Sequence, residues 1–167
     1  MGVGKTAVGQ KLAKALDMGF FDIDTEIQKT QGMTISKIFE NFGEEYFRVC
    51  ESLECRKIHA LSGYVISTGG GIILNTNNAI VLKEQCIVIH LTATAQTIFN
   101  RLKNDNSRPL LVSDKLHQIE QLYKKRKALY EQIADFSIQT DNCSIDELVN
   151  KCVAYILAGK SSQDCTI

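Results

Sequence analysis

The chain has 167 residues, 44% of them hydrophobic, and its 19 Lys+Arg are balanced by 19 Asp+Glu. That length suits a single domain with a real buried core, and the zero net charge leaves no global field to recruit nucleic acid or an anionic membrane. The six cysteines form no C-x-x-C pair and have no histidine at finger spacing, which argues against zinc and for reduced thiols. With no signal-peptide pattern and no apolar run near about 18 residues, the expectation is a soluble, cytoplasmic protein.

The chain opens on a phosphate-binding pattern. Met1-Gly2-Val3-Gly4-Lys5-Thr6 is the second half of G-x-x-x-x-G-K-[ST]. In that motif backbone N–H groups cradle nucleotide phosphates, the Lys reaches the β- and γ-phosphates, and the Ser/Thr hydroxyl sits on Mg²⁺. The motif's first Gly, and the strand that feeds it, would lie ahead of Met1. A helix is predicted over 5–16, since Val8, Leu12, Ala15 and Leu16 recur at spacings of three and four. Lys5 and Thr6 then open it, where amide donors and the helix dipole favour an anion.

A short apolar segment, Gly19-Phe20-Phe21, leads into Asp22-Ile23-Asp24. Strand alternation places both carboxylates on one side, one suited to a Mg²⁺ shell and the other to a substrate hydroxyl. Asp24 also reads as the cap of a helix over 25–29. Helices are predicted next over 34–39 and 44–61. Arg48 and Glu51 share a face of the second, as a surface ion pair or as an inward guanidinium fork suited to a carboxylate. Residues 64–67 read as a buried strand running into Gly69-Gly70-Gly71, which is either an ordinary tight turn or a close backbone approach to a ligand.

A helix over 77–84 precedes the strongest strand, 86–91, whose continuous apolar run suits a strand covered on both faces. After a helix over 94–103, residues 104–114 form a polar loop carrying Ser107-Arg108-Pro109-Leu110-Leu111, long enough to suggest a lid around 104–116. A lid arginine could neutralise charge on a transferring phosphoryl group. A long helix over 115–133 carries Lys124-Lys125-Arg126-Lys127, by default a solvated basic face. A strand over 136–139 and a helix over 144–157 close the chain. The three histidines, at 59, 90 and 117, form no cluster and are read as structural. Alternating strands and helices predict a three-layer α/β/α domain of the P-loop NTPase type, with a parallel sheet and ligands at the strands' C-terminal ends.

The ordered set of motifs resembles the shikimate kinase family across nearly the whole chain. Gly2-Val3-Gly4-Lys5-Thr6 is similar to its Walker A loop and Phe21-Asp22-Ile23-Asp24 to its D-x-D element. The segment from Gly43-Glu44-Glu45 through Phe47-Arg48 to Glu51 is similar to its G-E-x-x-F-R-x-x-E, and Ser67-Thr68-Gly69-Gly70-Gly71 to its glycine triplet. Arg108-Pro109-Leu110-Leu111 is similar to its R-P-L-L lid, and Arg126-Lys127-Ala128-Leu129-Tyr130 to its R-x-x-L-Y helix.

The resemblance implies one kinase domain over 1–167 that transfers the ATP γ-phosphate to the 3-hydroxyl of shikimate, in aromatic amino-acid biosynthesis. ATP would be bound by Gly2, Val3, Gly4, Lys5, Thr6, Ala7, Arg101 and Arg108, with Arg101 along the adenine. Thr6 would ligate Mg²⁺, with Asp22 in the metal's outer shell. Asp24 would bind the ring hydroxyls and orient the 3-hydroxyl, Arg48 and Arg126 would grip the carboxylate, and Gly70 would add a backbone contact. Lys5, Asp24 and Arg108 are the catalytic residues so implied, and Phe39 and Phe47 would wall the pocket. A monomer is expected.

Two departures go with the resemblance. Family members carry an apolar strand before the P-loop, in the middle of the sheet. Without it two neighbouring strands lose their pairing, so the chain as written is expected to fold poorly or bind ATP weakly, and the full product to begin earlier. The turn Thr140-Asp141-Asn142-Cys143 lies where the family often places a basic or amide side chain, which Cys143 cannot replace. The alternatives are a P-loop kinase of another small acceptor, such as gluconate, and a non-catalytic family member.

Overall fold

In the computed structural model, residues 2–102 and 115–163 are described. Their elements run α1 (Lys5–Ala15), β1 (Gly19–Asp22), α2 (Ile23–Gln31), α3 (Ile35–Arg56), β2 (Tyr64–Ser67), α4 (Thr76–Gln85), β3 (Ile89–Thr92), α5 (Ala95–Leu102), α6 (Lys115–Ile133), β4 (Phe136–Gln139) and α7 (Ile145–Gln163). Short 3₁₀ turns follow α3 at Lys57–Ala60 and precede α4 at Ile72–Leu74. Arg108 and nearly all of the expected lid lie outside the described residues.

All strand pairings are parallel. β1 pairs with β2, Gly19 opposite Tyr64 and Asp22 opposite Ser67, and β3 pairs with β4, Ile89 opposite Phe136 and Thr92 opposite Gln139. The ladders form two two-stranded sheets instead of one. Period-2 alternation then sorts side chains into layers. Val65, Ile89 and Leu91 point with Val8 and Leu12 of α1 and Leu148, Val149 and Cys152 of α7. Phe21, Ile66 and Val88 point the other way, onto Ile23 and Ile27 of α2, Ile38 and Phe47 of α3, Leu82 of α4 and Ile133 of α6. The three-layer α/β/α arrangement follows. Ile23, Ile27 and Ile38 are fully buried, each contributing about 1.5–3 kcal/mol of apolar transfer.

Several local expectations are corrected. The strand expected from Cys86 begins at Ile89, because Val88 is met by Asp135 and Phe136, where the turn after α6 enters β4, and not by a regular ladder. Its N–H donates to the Asp135 carboxylate at 2.8 Å and its carbonyl accepts from the Asp135 N–H at 2.9 Å. The two helices expected on either side of Gly43 join into α3 across a kink, where Gly43 takes φ 78°, ψ 177°. The helix expected to start after Asp24 starts at Ile23, and its cap is Asp22, whose side chain accepts from the Thr25 N–H.

Candidate active site

The C-terminal end of β2, the first turn of α2 and the start of α1 meet at one cavity of about 1620 Å³, lined among others by Lys5, Asp24, Arg48, Glu51, Gly70 and Arg126. At the α1 end, Gly4 precedes the helix and Lys5 and Thr6 form its first turn, so free N–H groups face outward there. Val3 packs on Ile98 and Ile119, which ties the loop to α5 and α6.

Asp22 and Asp24 do not share one side of a strand, as alternation suggested, because α2 begins between them. Asp24 lines the cavity, whereas Asp22 lies outside its lining. The Thr6 hydroxyl donates to Asp22 Oδ2 at 3.2 Å, and Thr25 donates to Oδ1 through its N–H at 3.0 Å and its hydroxyl at 3.1 Å. A hydroxyl beside a carboxylate at a helix N-terminus is an all-oxygen donor set. It fits Mg²⁺, which takes one or two protein ligands and fills its shell with water and phosphate. Among the described residues no group of three or more His, Cys, Asp or Glu forms a metal cage.

Asp24 faces the glycine triplet. A Cβ on Gly69 would lie 2.7 Å from Glu51 Oε1 and 3.1 Å from Asp24 Oδ1, so the bare backbone is what lets two carboxylates approach the loop. A Cβ on Gly71 would overlap the Arg48 guanidinium. The triplet is therefore a close approach and not just a turn.

Arg48 resolves the choice between a surface pair and an inward fork by doing both. Its Nη1 donates to Glu51 at 2.7 Å and its Nη2 to Glu44 at 2.7 Å; Glu51 is 1% exposed while Glu44 is 53% exposed. Burial works against the Arg48 charge, but the Glu44 and Glu51 carboxylates outweigh it and raise its affinity for the proton. Burial pushes the Glu51 carboxyl up, against the hydrogen bond and charge of Arg48, and nearby Asp24 pushes the same way as burial. Glu51 Oε1 has no hydrogen-bond partner among the described residues.

Arg126 arrives from α6. Its Nη1 donates to the Gly70 carbonyl at 3.3 Å, and the Tyr130 hydroxyl donates to the same oxygen at 2.5 Å. Tyr130 stacks on His90, ring centroids 4.8 Å apart. Burial lowers the proton affinity of His90; the Glu131 charge opposes this and Lys5 reinforces it. Phe39 and Phe47 stack at 4.9 Å, and Arg48 lies 5.3 Å over the Phe47 ring. Both phenyl groups line the cavity beside the guanidinium.

Arg101, expected along an adenine, is held by protein groups. It donates to the Thr140 hydroxyl at 3.0 Å, the Thr140 carbonyl at 3.1 Å and the Gly2 carbonyl at 3.3 Å. It thus pins α5 to the phosphate loop and to the turn after β4. In that turn the Asp141 carboxylate accepts from Thr94 and Gln139. Slight desolvation raises its proton affinity, but hydrogen bonds from Thr97, Thr94 and Gln139 outweigh that and bring its pKa down to about 2.

Lys5, Asp24, Arg48, Gly70 and Arg126 are thus brought to one cavity, while Thr6, next to Lys5 in sequence, bonds Asp22 outside its lining. Sequence reasoning quoted Tyr130 only as the end of the R-x-x-L-Y segment and read His90 as structural, giving neither a role at the site. Tyr130 stands one helical turn after Arg126, a spacing that could have flagged it; nothing local flags His90.

A protein-family model described as shikimate kinase matches residues 1–157. The shikimate kinase of Caldicellulosiruptor bescii is 41% identical over 164 residues, covering 98% of this chain and 95% of the relative. That of Pelotomaculum thermopropionicum is 41% identical over 157 residues, covering 93% and 91%. Among solved structures, shikimate kinase from Acinetobacter baumannii in complex with shikimate superimposes with a TM-score of 0.92 at 36% identity, covering 96% of this chain and 90% of that one. The Aquifex aeolicus shikimate kinase gives a TM-score of 0.83 at 29% identity, covering 96% and 94%. With a three-layer P-loop fold, a glycine triplet against buried carboxylates and matches of this extent, the chain belongs to the shikimate kinase family.

Proposed function

We propose that this chain transfers the γ-phosphate of ATP to the 3-hydroxyl of shikimate, giving shikimate 3-phosphate and ADP in aromatic amino-acid biosynthesis. The observation that carries the reading is the convergence of Arg48 and Arg126 on Gly70-Gly71, with Asp24 facing the same loop and the phosphate-binding helix opening beside it. Two guanidinium groups suit a carboxylate acceptor, and a buried carboxylate suits its hydroxyls.

The residues divide the work by charge. The N–H groups of Gly2, Val3, Gly4 and Ala7 and the Lys5 ammonium take the phosphates, and Arg101 and Arg108 complete the nucleotide side. Arg48 and Arg126 grip the shikimate carboxylate, Gly70 supplies a backbone contact, and Phe39 and Phe47 wall the ring. Asp24 orients the 3-hydroxyl and accepts its proton as the oxygen attacks phosphorus. Thr6 and Asp22 would hold Mg²⁺, which supplies charge neutralisation on the phosphates. Phosphoryl transfer asks for positioning and charge more than covalent chemistry, and the site offers those. The protein works as a cytoplasmic monomer in this reading; among the described residues no helix is long and apolar enough to cross a membrane.

The test is ADP release by the chain with ATP and Mg²⁺, with shikimate or gluconate as acceptor. Shikimate-dependent release is expected. Release with gluconate alone would reassign the acceptor, and saturable shikimate binding without release would make the chain a non-catalytic family member.

A further inference from the structure

Arg48 reaches the cavity with its charge already matched. Its Nη1 donates to Glu51 Oε2, while its Nε and Nη2 both donate to a single oxygen, Glu44 Oε1, at 3.2 and 2.7 Å. The same guanidinium lies against the Gly71 backbone, where a Cβ would overlap it. One positive charge thus stands between two carboxylates. Arg126, the other arm of the clamp, has no carboxylate ion pair among the described residues.

The two carboxylates on Arg48 are not equivalent. Glu51 is fully buried, and its own bond to Nη1 lies inside the protein, so it has no path to water. Glu44 is exposed, lines the cavity, and follows the kink residue Gly43 directly, at the start of the arm that carries Phe47 and Arg48. An exposed pair four residues apart on a helix contributes little, and its carboxylate can rotate into water at small cost. An incoming acid brings a third carboxylate to one guanidinium, and like charges at that range repel unless one of them withdraws. Glu44 is the one with an exit.

We infer that Glu44 is an internal substitute for the acceptor's carboxylate, seated on the Nε and Nη2 donors of Arg48 while the pocket is empty and displaced into water when the acid binds. This rests on the reading that Arg48 grips the acceptor. Glu44 is then a specificity-determining residue. Being tethered beside the fork, it competes at a high effective concentration, so an acid must add contacts from its hydroxyls to win the site. A side chain that only braced Arg48 would have the opposite consequence, because removing it would loosen the clamp and weaken acid binding.

The experiment compares the wild type with Glu44→Gln, which removes the charge and keeps the side-chain shape, and with Glu44→Ala as a second variant. Glu45→Gln takes the same charge from the exposed neighbouring position and is the control. The KM for shikimate is expected to fall about two- to fivefold in both Glu44 variants and to stay unchanged in the control, with kcat and the KM for ATP as in the wild type. Calorimetric titration without nucleotide should show the same gain in affinity, and the gain should vanish when the methyl ester of shikimate replaces the acid. A rise in the shikimate KM would overturn the inference and make Glu44 a brace for Arg48. An equal gain in Glu45→Gln, or for the ester, would overturn it by reducing the effect to net charge or shape, and unchanged affinity in both Glu44 variants would overturn it outright. Each of these leaves the acceptor reading standing. Absence of shikimate binding to the wild type and the variants alike would overturn that reading, and this inference with it.

Discussion

Arg48 and Arg126 reach the glycine triplet with different supports. Arg48 is held by two carboxylates, one of them fully buried, while Arg126 meets the Gly70 carbonyl and the Tyr130 hydroxyl, with no carboxylate ion pair among the described residues. Removing each should therefore fail differently. Arg126→Ala should lower kcat/KM for shikimate by about 2–5 kcal/mol with little change in Tm. Arg48→Ala should lose as much turnover and in addition destabilise the fold by about 3–5 kcal/mol, because Glu51 is left buried without its hydrogen-bonded partner. Steady-state kinetics with thermal melts check both; equal Tm values for the two variants would show that the Arg48 pair carries no structural role.

His90 gives the residue scale a pH dependence. Its proton affinity in the folded protein is below the ordinary value of 6.5. The stability it contributes is therefore fully present above pH 6.5 and is lost as pH falls through its depressed value. The Tm of the wild type should drop more steeply between pH 7 and 5 than that of His90→Phe, which keeps the stack on Tyr130. Parallel pH profiles would rule the imidazole out. The Arg48–Glu51 pair was legible from a spacing of three on one helix. The His90–Tyr130–Gly70 chain was not, since its members are brought together only by tertiary packing across 60 residues. The roles of Asp22 and Asp24 were blurred for a smaller reason: a helix starting two residues earlier than expected turns one carboxylate into the cap and leaves the other to line the cavity.

At the scale of elements, the kink at Gly43 divides α3 into an arm bearing Phe39 and an arm bearing Phe47, Arg48 and Glu51. No atom would obstruct a Cβ at Gly43, so the cost of substitution is conformational. Gly43→Ala should destabilise the fold by about 1–3 kcal/mol in urea titration and raise the shikimate KM, as the two arms change angle. A change in stability with KM untouched would show that the kink does not aim the guanidinium. The sequence announced a break here, through Gly43 itself, and the backbone there is non-helical, so two helical arms follow each other without an intervening loop. On the nucleotide side, Thr140→Val removes the hydroxyl that receives Arg101 while leaving the guanidinium in place. Since Thr140 is 1% exposed and Arg101 also holds Gly2, this variant should raise the KM for ATP more than that for shikimate. The reverse order would separate the latch from the phosphate loop.

For the molecule as a whole, the two strand pairs sit within shared helix layers, and α1 with α7 on one face and α2, α3, α4 and α6 on the other bridge them. Cohesion between the halves comes from side chains and not from a continuous ladder. Hydrogen exchange should report this as two units, with slower exchange inside each ladder than along the inner edges of β2 and β3. Uniform protection of all four strands would contradict it. Parallel pairing, the helix layers and their order were readable from strands alternating with helices. The division into two sheets was not readable locally, since no pattern in β2 or β3 marks an unpaired edge.

The shared anchor on Gly70 has a consequence for which acids the enzyme can use. Arg126 and Tyr130 lie about one helical turn apart on α6 and hold the same carbonyl, so the short Tyr130 bond fixes how far the glycine loop stands from α6, with the guanidinium 3.3 Å from that oxygen. It acts as a ruler that cannot stretch without breaking the Tyr130 bond to Gly70. An acid with one more methylene between carboxylate and ring can seat its carboxylate or its hydroxyls, but not both at once. Such homologues would still occupy the pocket, and the discrimination against them would be read in turnover and hardly at all in occupancy.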